Sequence, residues 1–295
     1  VLTNSYDASF GRNAGGQVNV ITRSGTNEVH GAVFGFLRSG ALDARNHFDR
    51  QVGNDPQYRR EQFGASLGLP LRKDRSFLFG DYEGRRVRES IPRIANVPTA
   101  LERQGDFSQS SRPAMDLFTG APFPGNRMPA ARIDPIGLAL AGLYPMPNRN
   151  QAGENYFSSP DLNDRSDTGD LRFDQNVSSR SELAVRYSFG DRSLFDPFSG
   201  PSYALVPGFG TSVKRRAQNL MASETHVFSP ALIGEFRAAY NRVAQGTFHE
   251  NQGRDLNRQV GLPTLSSLAR DTGLSFISLP GYSPLGDEYN NPQHS

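Results

Sequence analysis

The chain contains no cysteine and no tryptophan. The first absence rules out disulfides, thiolate nucleophiles and cysteine-ligated metals. No apolar run approaches the ~20 residues that a membrane-spanning helix needs, which excludes a helical membrane protein. Apolar residues make up 36% of the sequence, below the ~45–50% usual for a compact soluble domain even after allowing for how glycine is counted. Charge of one sign is missing too. Lys and Arg total 32 against 30 Asp and Glu, leaving +2. No Lys/Arg block is long enough to follow a phosphate backbone, so nucleic acid is not an expected partner. No basic stretch followed by an apolar core opens the chain, so no signal peptide is visible. What the chain does have is 30 Gly and 20 Pro for turns, with 20 Phe and 10 Tyr as apolar bulk. A transmembrane β-barrel escapes the hydropathy test, because only alternate residues of each strand meet lipid.

Period-two alternation, the strand signal, recurs along the chain. Leu183, Val185, Tyr187 and Phe189 alternate with Glu182, Ala184, Arg186 and Ser188. Leu232, Gly234, Phe236, Ala238 and Tyr240 alternate with Glu235, Arg237 and Asn241, and Leu171, Phe173 and Val177 with Asp170, Arg172, Asp174 and Asn176. In water this describes a half-buried sheet. In a membrane it describes a barrel wall whose apolar face meets lipid and whose charged face lines a wet lumen. The connections separate the two cases. Those near 72–75, 178–181 and 229–231 are short, whereas 89–167 and 192–212 are long. Outer-membrane barrels show this asymmetry, with short periplasmic turns and long extracellular loops. A soluble domain seldom carries so long a loop without structure of its own. Strands are expected near 29–38, 58–70, 76–88, 168–178, 182–192, 213–228 and 232–246. Within the long loop, 133–144 is a predicted helix with Asp134 as cap, Pro135 at the first helical position and Pro145 as its stop. The tail 251–295 reads as another extracellular loop, cut before its return strand.

The stretch from Asn13 to Arg23, NAGGQVNVITR, narrows the reading. Gly15 and Gly16 run into a strand with Val18 and Val20 on one face and Asn19 and Ile21 on the other, closed by Thr22 and Arg23. The glycine pair permits close approach of chains inside a crowded lumen, or serves simply as the turn before a strand. The stretch resembles the last plug strand of TonB-dependent outer-membrane transporters. The runs SGTNEVHGAVFGFLR, ALDARNHFD, REQFGASLGLPLRKDRSFLFGDYEG, PFPGNRMPAARIDPIGLAL and LYPMPN resemble the Oar-like branch of that family. The resemblance implies an all-β fold: a partial transmembrane antiparallel β-barrel, about seven of the ~22 strands of a plugged transporter, with the last strand of the plug and long extracellular loops. Residues 1–25 are then the C-terminal end of the plug. Residues 26–295 are the N-terminal part of the barrel, with its long loop at 89–167.

The same resemblance implies a Gram-negative outer-membrane location and energised uptake or export of a ligand. The implied partners are TonB with its inner-membrane motor complex, outer-membrane lipid and lipopolysaccharide, and an extracellular ligand whose identity no residue reveals. The segment contacting TonB is expected upstream of Val1, and the chain is expected to be an internal piece of a longer protein. Two other readings stay open: a structural or adhesive surface barrel without transport, and a soluble secreted all-β protein acting on glycans.

No catalytic constellation emerges, and neither a cofactor nor a metal is expected. His30, His47, His226, His249 and His294 are scattered, without HExxH or paired spacing. No phosphate-cradling glycine motif and no GxSxG occurs. Asp161, Asp164, Asp167 and Asp170 recur every three residues. They suggest either a calcium site with oxygen ligands or, as favoured here, a solvated loop entering a strand with Asp170 facing the lumen. Arg85, Arg86 and Arg88 are candidate rim contacts to lipopolysaccharide phosphates, because guanidinium matches phosphate geometry; a solvated strand end is the plainer account. The same two accounts apply to Lys214, Arg215 and Arg216. Phe34, Phe36, Phe77, Phe79 and Tyr82 either form an aromatic girdle or pack against the plug. Both faces of their strands carry apolar residues, so the pattern leaves the choice open. Phe107, Phe118, Phe123, Tyr144, Tyr156 and Phe157 could stack on sugars, but packing of the loop on itself is favoured.

Overall fold

The alternating segments pair into a single antiparallel wall. The computed structural model describes residues 22–43, 57–110, 112–198, 204–264 and 266–287, and the backbone of 291–294. In chain order the strands are β1 (His30–Ser39), β2 (Tyr58–Arg72), β3 (Ser76–Ser90), the short β4 (Arg93–Ala95) and β5 (Tyr156–Ser158), β6 (Asp161–Ser178), β7 (Ser181–Asp196), β8 (Thr211–Ser229), β9 (Leu232–His249) and β10 (Asn291–His294). The main sheet runs β1-β2-β3-β6-β7-β8-β9-β10, and β4 and β5 form a separate ribbon. Among the described residues the sheet is open, with β1 and β10 at its edges. The turns at one end are minimal. Asp74, in the left-handed region at φ 59°, reverses β2 into β3; aspartate tolerates that conformation because its side chain bonds locally.

Strands β2, β3 and β6 to β9 run 15–19 residues, whereas a tilted strand crosses hydrocarbon in ~9–11. The wall therefore continues well past a membrane on the side of the long loops. This corrects the expected start of β6, which begins at Asp161 rather than 168. In 161–167 every residue except Leu162 is polar or charged, on both faces, because that part of the strand stands clear of the apolar zone, and so alternation is lost there. The tail is likewise more than a loop. Residues 291–294 pair with β9, Asn291 opposite Thr247 and His294 opposite Ala244, so a return strand has begun. The predicted helix is present as α1 (Pro135–Leu143), and the Asp134 carboxylate accepts from the amides of Ile136 and Gly137.

The buried apolar side chains lie almost entirely outside the wall. Among the described residues only Phe79 of the main sheet is buried; the others belong to connections and the β4 ribbon. Val97, Tyr144, Val206, Phe209, Leu256, Leu274 and Leu285 form one core drawn from three loops. Hydrogen bonds close the long loop on itself and tie it to the others. The Asn155 side chain donates to the Val97 carbonyl and accepts from its amide, both at 2.8 Å. The Tyr144 hydroxyl donates to the Ser283 carbonyl at 2.7 Å. The Asn251 amide donates to the Gly208 carbonyl at 2.8 Å. The expectation that the long loop packs on itself thus becomes a folded cap of three loops.

Candidate functional site

Strand register assigns each side chain of the wall to a face. On one face lie Leu171 and Phe173 of β6, Leu183, Val185 and Tyr187 of β7, Leu220 of β8, and Phe236 and Tyr240 of β9. Many are open to the surroundings: Leu220 is 46%, Phe236 69% and Tyr240 62% exposed. On β7 this band, Leu183 to Phe189, covers about 20 Å of strand at ~3.3 Å per residue, close to the ~25 Å expected of a lipid-facing belt. The opposite face is polar. The Asp164 carboxylate accepts from Arg85 at 2.9 Å and from Arg192 at 2.8 Å. Arg172 grips Asp174, and the Ser188 hydroxyl donates to Asp170. A soluble sheet buries its apolar face; this one exposes an apolar band and keeps its ion pairs off it, either on the opposite face or, on the same face, beyond Phe189 toward the long loops.

The residues ahead of β1 lie on the polar face, at the short-turn end. The Thr22 carbonyl accepts from Arg172 Nη1 at 2.8 Å. The Ser24 hydroxyl donates to Asp174 at 2.5 Å. Asn27 donates to the Asp74 carboxylate at 2.5 Å and accepts from the Asp74 amide at 2.7 Å. Gly25 is buried there because nothing larger fits: a Cβ would stand 2.6 Å from the Leu78 carbonyl oxygen and 2.9 Å from that of Leu69. The Arg172–Asp174 pair thus joins β6 to the segment 22–27, a role hidden from the sequence because the partners stand 150 positions apart.

Of the plug-end motif, Gly15, Gly16, Val18, Asn19 and Val20 lie outside the described residues, Thr22 is in the seam and Arg23 is exposed. The three rim arginines do not share a face. Arg86 and Arg88 point outward, with Arg88 paired to Asp161 at 2.5 Å, while Arg85 points inward. Lys214 and Arg216 likewise face out and Arg215 faces in. The calcium reading fails on geometry. A spacing of three in a strand throws successive side chains to opposite faces, so Asp161 and Asp167 face out and Asp164 and Asp170 face in. Among the described residues no three acidic or histidine side chains are placed to hold a metal. Register also settles the aromatics: Phe34, Phe36, Phe77 and Phe79 are on the polar face and Tyr82 on the apolar one.

Within the cap, residues 98–144 and 279–282 border a half-open pocket of about 300 Å³ whose apolar walls include Phe107, Met128, Ile133, Leu138 and Leu279. Its polar groups are already engaged. Arg103 donates to the carbonyls of Pro98, Tyr144 and Pro145, and burial lowers its pKa. Burial pushes the Tyr144 hydroxyl up to about 12. Burial, then the charge of Glu102, raises Tyr282. No sequence signal marks this cavity, since its walls come from distant segments without periodicity.

Comparison with known proteins agrees with the wall. Residues 21–295 match the family described as outer membrane beta barrel domain. Over 102 residues the chain is 34% identical to the TonB-dependent transporter Oar of Myxococcus xanthus; the match covers 33% of this chain and 10% of that protein. The chain thus spans only a small part of that relative. No solved structure matches. Membership of a barrel family places the chain in the outer membrane, in a non-enzymatic role. The chain therefore belongs to the outer membrane β-barrel domain family.

Proposed function

We propose that this chain carries the end of the plug and the first strands of the barrel in a TonB-dependent transporter of the Oar-like kind, which moves a ligand across the outer membrane with energy from TonB and its inner-membrane motor complex. The observation that carries this reading is the seam at 22–27. It lies on the polar face of the wall, immediately ahead of β1, where a plug inside the lumen must connect to its barrel. The seam is made of a few side-chain hydrogen bonds. Bonds of this kind contribute ~0.5–3 kcal/mol each, far less than a strand ladder, so the seam suits a plug that must shift under a pull while the wall stays intact. The motif NAGGQVNVITR and the similarity to Oar support the same reading. The cap, at the long-loop end, is the first surface an incoming ligand meets.

The test uses the whole protein in cells, with a single cysteine at the exposed position Thr26 (Thr26→Cys) and an impermeant maleimide added outside. Labelling several-fold faster in energised cells with TonB than in cells without it is the expected result. Equal labelling in both would refute energised transport and leave a structural or adhesive barrel.

A further inference from the structure

We propose that the outer face of the wall carries a site for a phosphorylated lipid of the outer leaflet, in the hollow between Tyr82 and Phe189 beneath Arg165 and Arg216. The site is separate from the transport path and rests only on the assignment of faces and ends.

The hollow holds about 570 Å³ and is lined by Tyr82, Phe189, Arg165, Asp167, Asp191 and Arg216, with Ser193 above. Tyr82, Gly169 and Phe189 are register partners across three strands. At Gly169 a Cβ would stand 2.7 Å from the Phe189 ring, so the missing side chain lets that ring settle against the wall and leaves the space above it open. The position is the boundary of two zones. Toward the short turns the outer face is apolar, through Leu171 and Tyr187. Toward the long loops the first charged row begins. An amphiphile whose head lies level with that row and whose chains run down the band fits this boundary; a soluble anion has no use for the aromatic floor.

The charges select the head. Arg86 and Arg165 both donate to the Asp167 carboxylate, at 2.6 and 2.7 Å, and Arg216 donates to Asp191. Lys214, one outward position farther up β8, makes no ion pair among the described residues. Two arginines and two carboxylates line the hollow itself; Arg86 and Lys214 beside it raise the cations to four, while Glu61 opposite Arg86 is already paired with Arg59, and the surplus positive charge calls for an anion. Arg165 and Arg216 are each 66% exposed and can turn their planar forks to a phosphate, which guanidinium binds through paired N–H groups. Of the three candidate rim arginines, Arg85 faces the lumen and Arg88 is held by Asp161 beyond the hollow.

The experiment is native mass spectrometry of the whole protein, extracted in detergent and stripped of lipid. It is titrated with bisphosphorylated lipid A, its dephosphorylated form, or inorganic phosphate as competitor. Loss of charge-assisted contacts predicts retention of the bisphosphorylated lipid about tenfold above the dephosphorylated one. The double variant Arg165→Gln/Arg216→Gln should lose most of that difference, and Arg215→Gln, on the inner face of the same strand, should keep it. Inorganic phosphate should not displace the lipid. Equal retention of the two lipids by the unaltered protein overturns the proposal whether or not the double variant folds. Undiminished binding by a folded double variant, an equal loss in Arg215→Gln, or displacement by inorganic phosphate overturns it as well.

Discussion

Ala238 and Ala239 are neighbours on β9, both exposed and alike in every respect except the face they occupy. Ala238 is opposite Ala222, between Phe236 and Tyr240 on the apolar face; Ala239 is opposite Met221 on the polar face. Arginine at each position gives a paired test of the wall. At 238 the guanidinium would enter the middle of the apolar band. A cation on the lipid face of a barrel costs ~2–4 kcal/mol near the midplane, which lowers the folded-to-unfolded ratio by about 30- to 1,000-fold. At 239 it would join Arg237 and Asn241 beside water, at a cost near zero. The whole protein refolded into lipid vesicles and titrated with urea reads the difference as a shift in midpoint, with heat-modifiable gel migration reporting the folded fraction. A large loss for Ala238→Arg with little change for Ala239→Arg is expected. Equal losses, or the reverse order, would falsify the face assignment and every functional statement that depends on it.

Leu285→Ala should open the cap alone. Truncating a fully buried leucine costs ~2–5 kcal/mol, so amide exchange across 94–98, 140–145, 204–209 and 256–285 should rise together by about a hundredfold, with the strands unchanged; a rise confined to residues near 285 would show that the three loops do not fold as one unit. Gly25→Val should lower the folded fraction through its collision with the Leu78 and Leu69 carbonyls, whereas Thr26→Val should not, as gel migration would record. Acid should loosen 99–133: hydrogen bonds from Ser108, aided by Arg127, lower the Asp106 pKa, and the Phe118 amide, aided by Arg132, lowers that of Asp116. Their stabilisation is complete above the ordinary carboxylate value of about 4 and is lost as pH falls through their depressed values, so proteolysis of this segment should accelerate only below that pH; acceleration between pH 7 and 5 would contradict the assignment.

The parts of the wall legible in the sequence are those where one face meets lipid and the other water. β7 and β9 declare themselves because Leu183 to Phe189 and Phe236 to Tyr240 alternate with polar residues. The upper half of β6 was illegible for the opposite reason: Asp161, Arg165 and Asp167 face out, Asp164 and Ser166 face in, and alternation has no contrast to display. β3 was ambiguous because Phe77 and Phe79 sit on the polar face beneath the seam while Leu78 sits on the apolar one, so only register with β6 separates Arg85 from Arg86. The cap left no trace beyond α1 and its Asp134 cap. Its contacts, such as Tyr144 with Ser283, join positions too far apart for any local pattern.

The low apolar content and the odd location of the core have one cause. A chain in a single solvent must gather its apolar residues into one interior, and burial scales with how many it has. This chain works in two solvents. Along the wall, only every second residue of a short band has to be apolar, and those side chains stay exposed because lipid rather than protein covers them. The cap stands in water and follows the ordinary rule, so Val97, Val206 and Leu285 are fully enclosed. Neither part needs many apolar residues, and the polar face between them needs almost none. The result is a composition too polar for one soluble domain and too poor in apolar runs for a helical membrane protein. It is also why the side chains that would stack on a sugar in a soluble glycan-acting protein are here divided between the lipid band, the inner face beneath the seam, and a cap core from which Phe118 projects most strongly, 88% exposed.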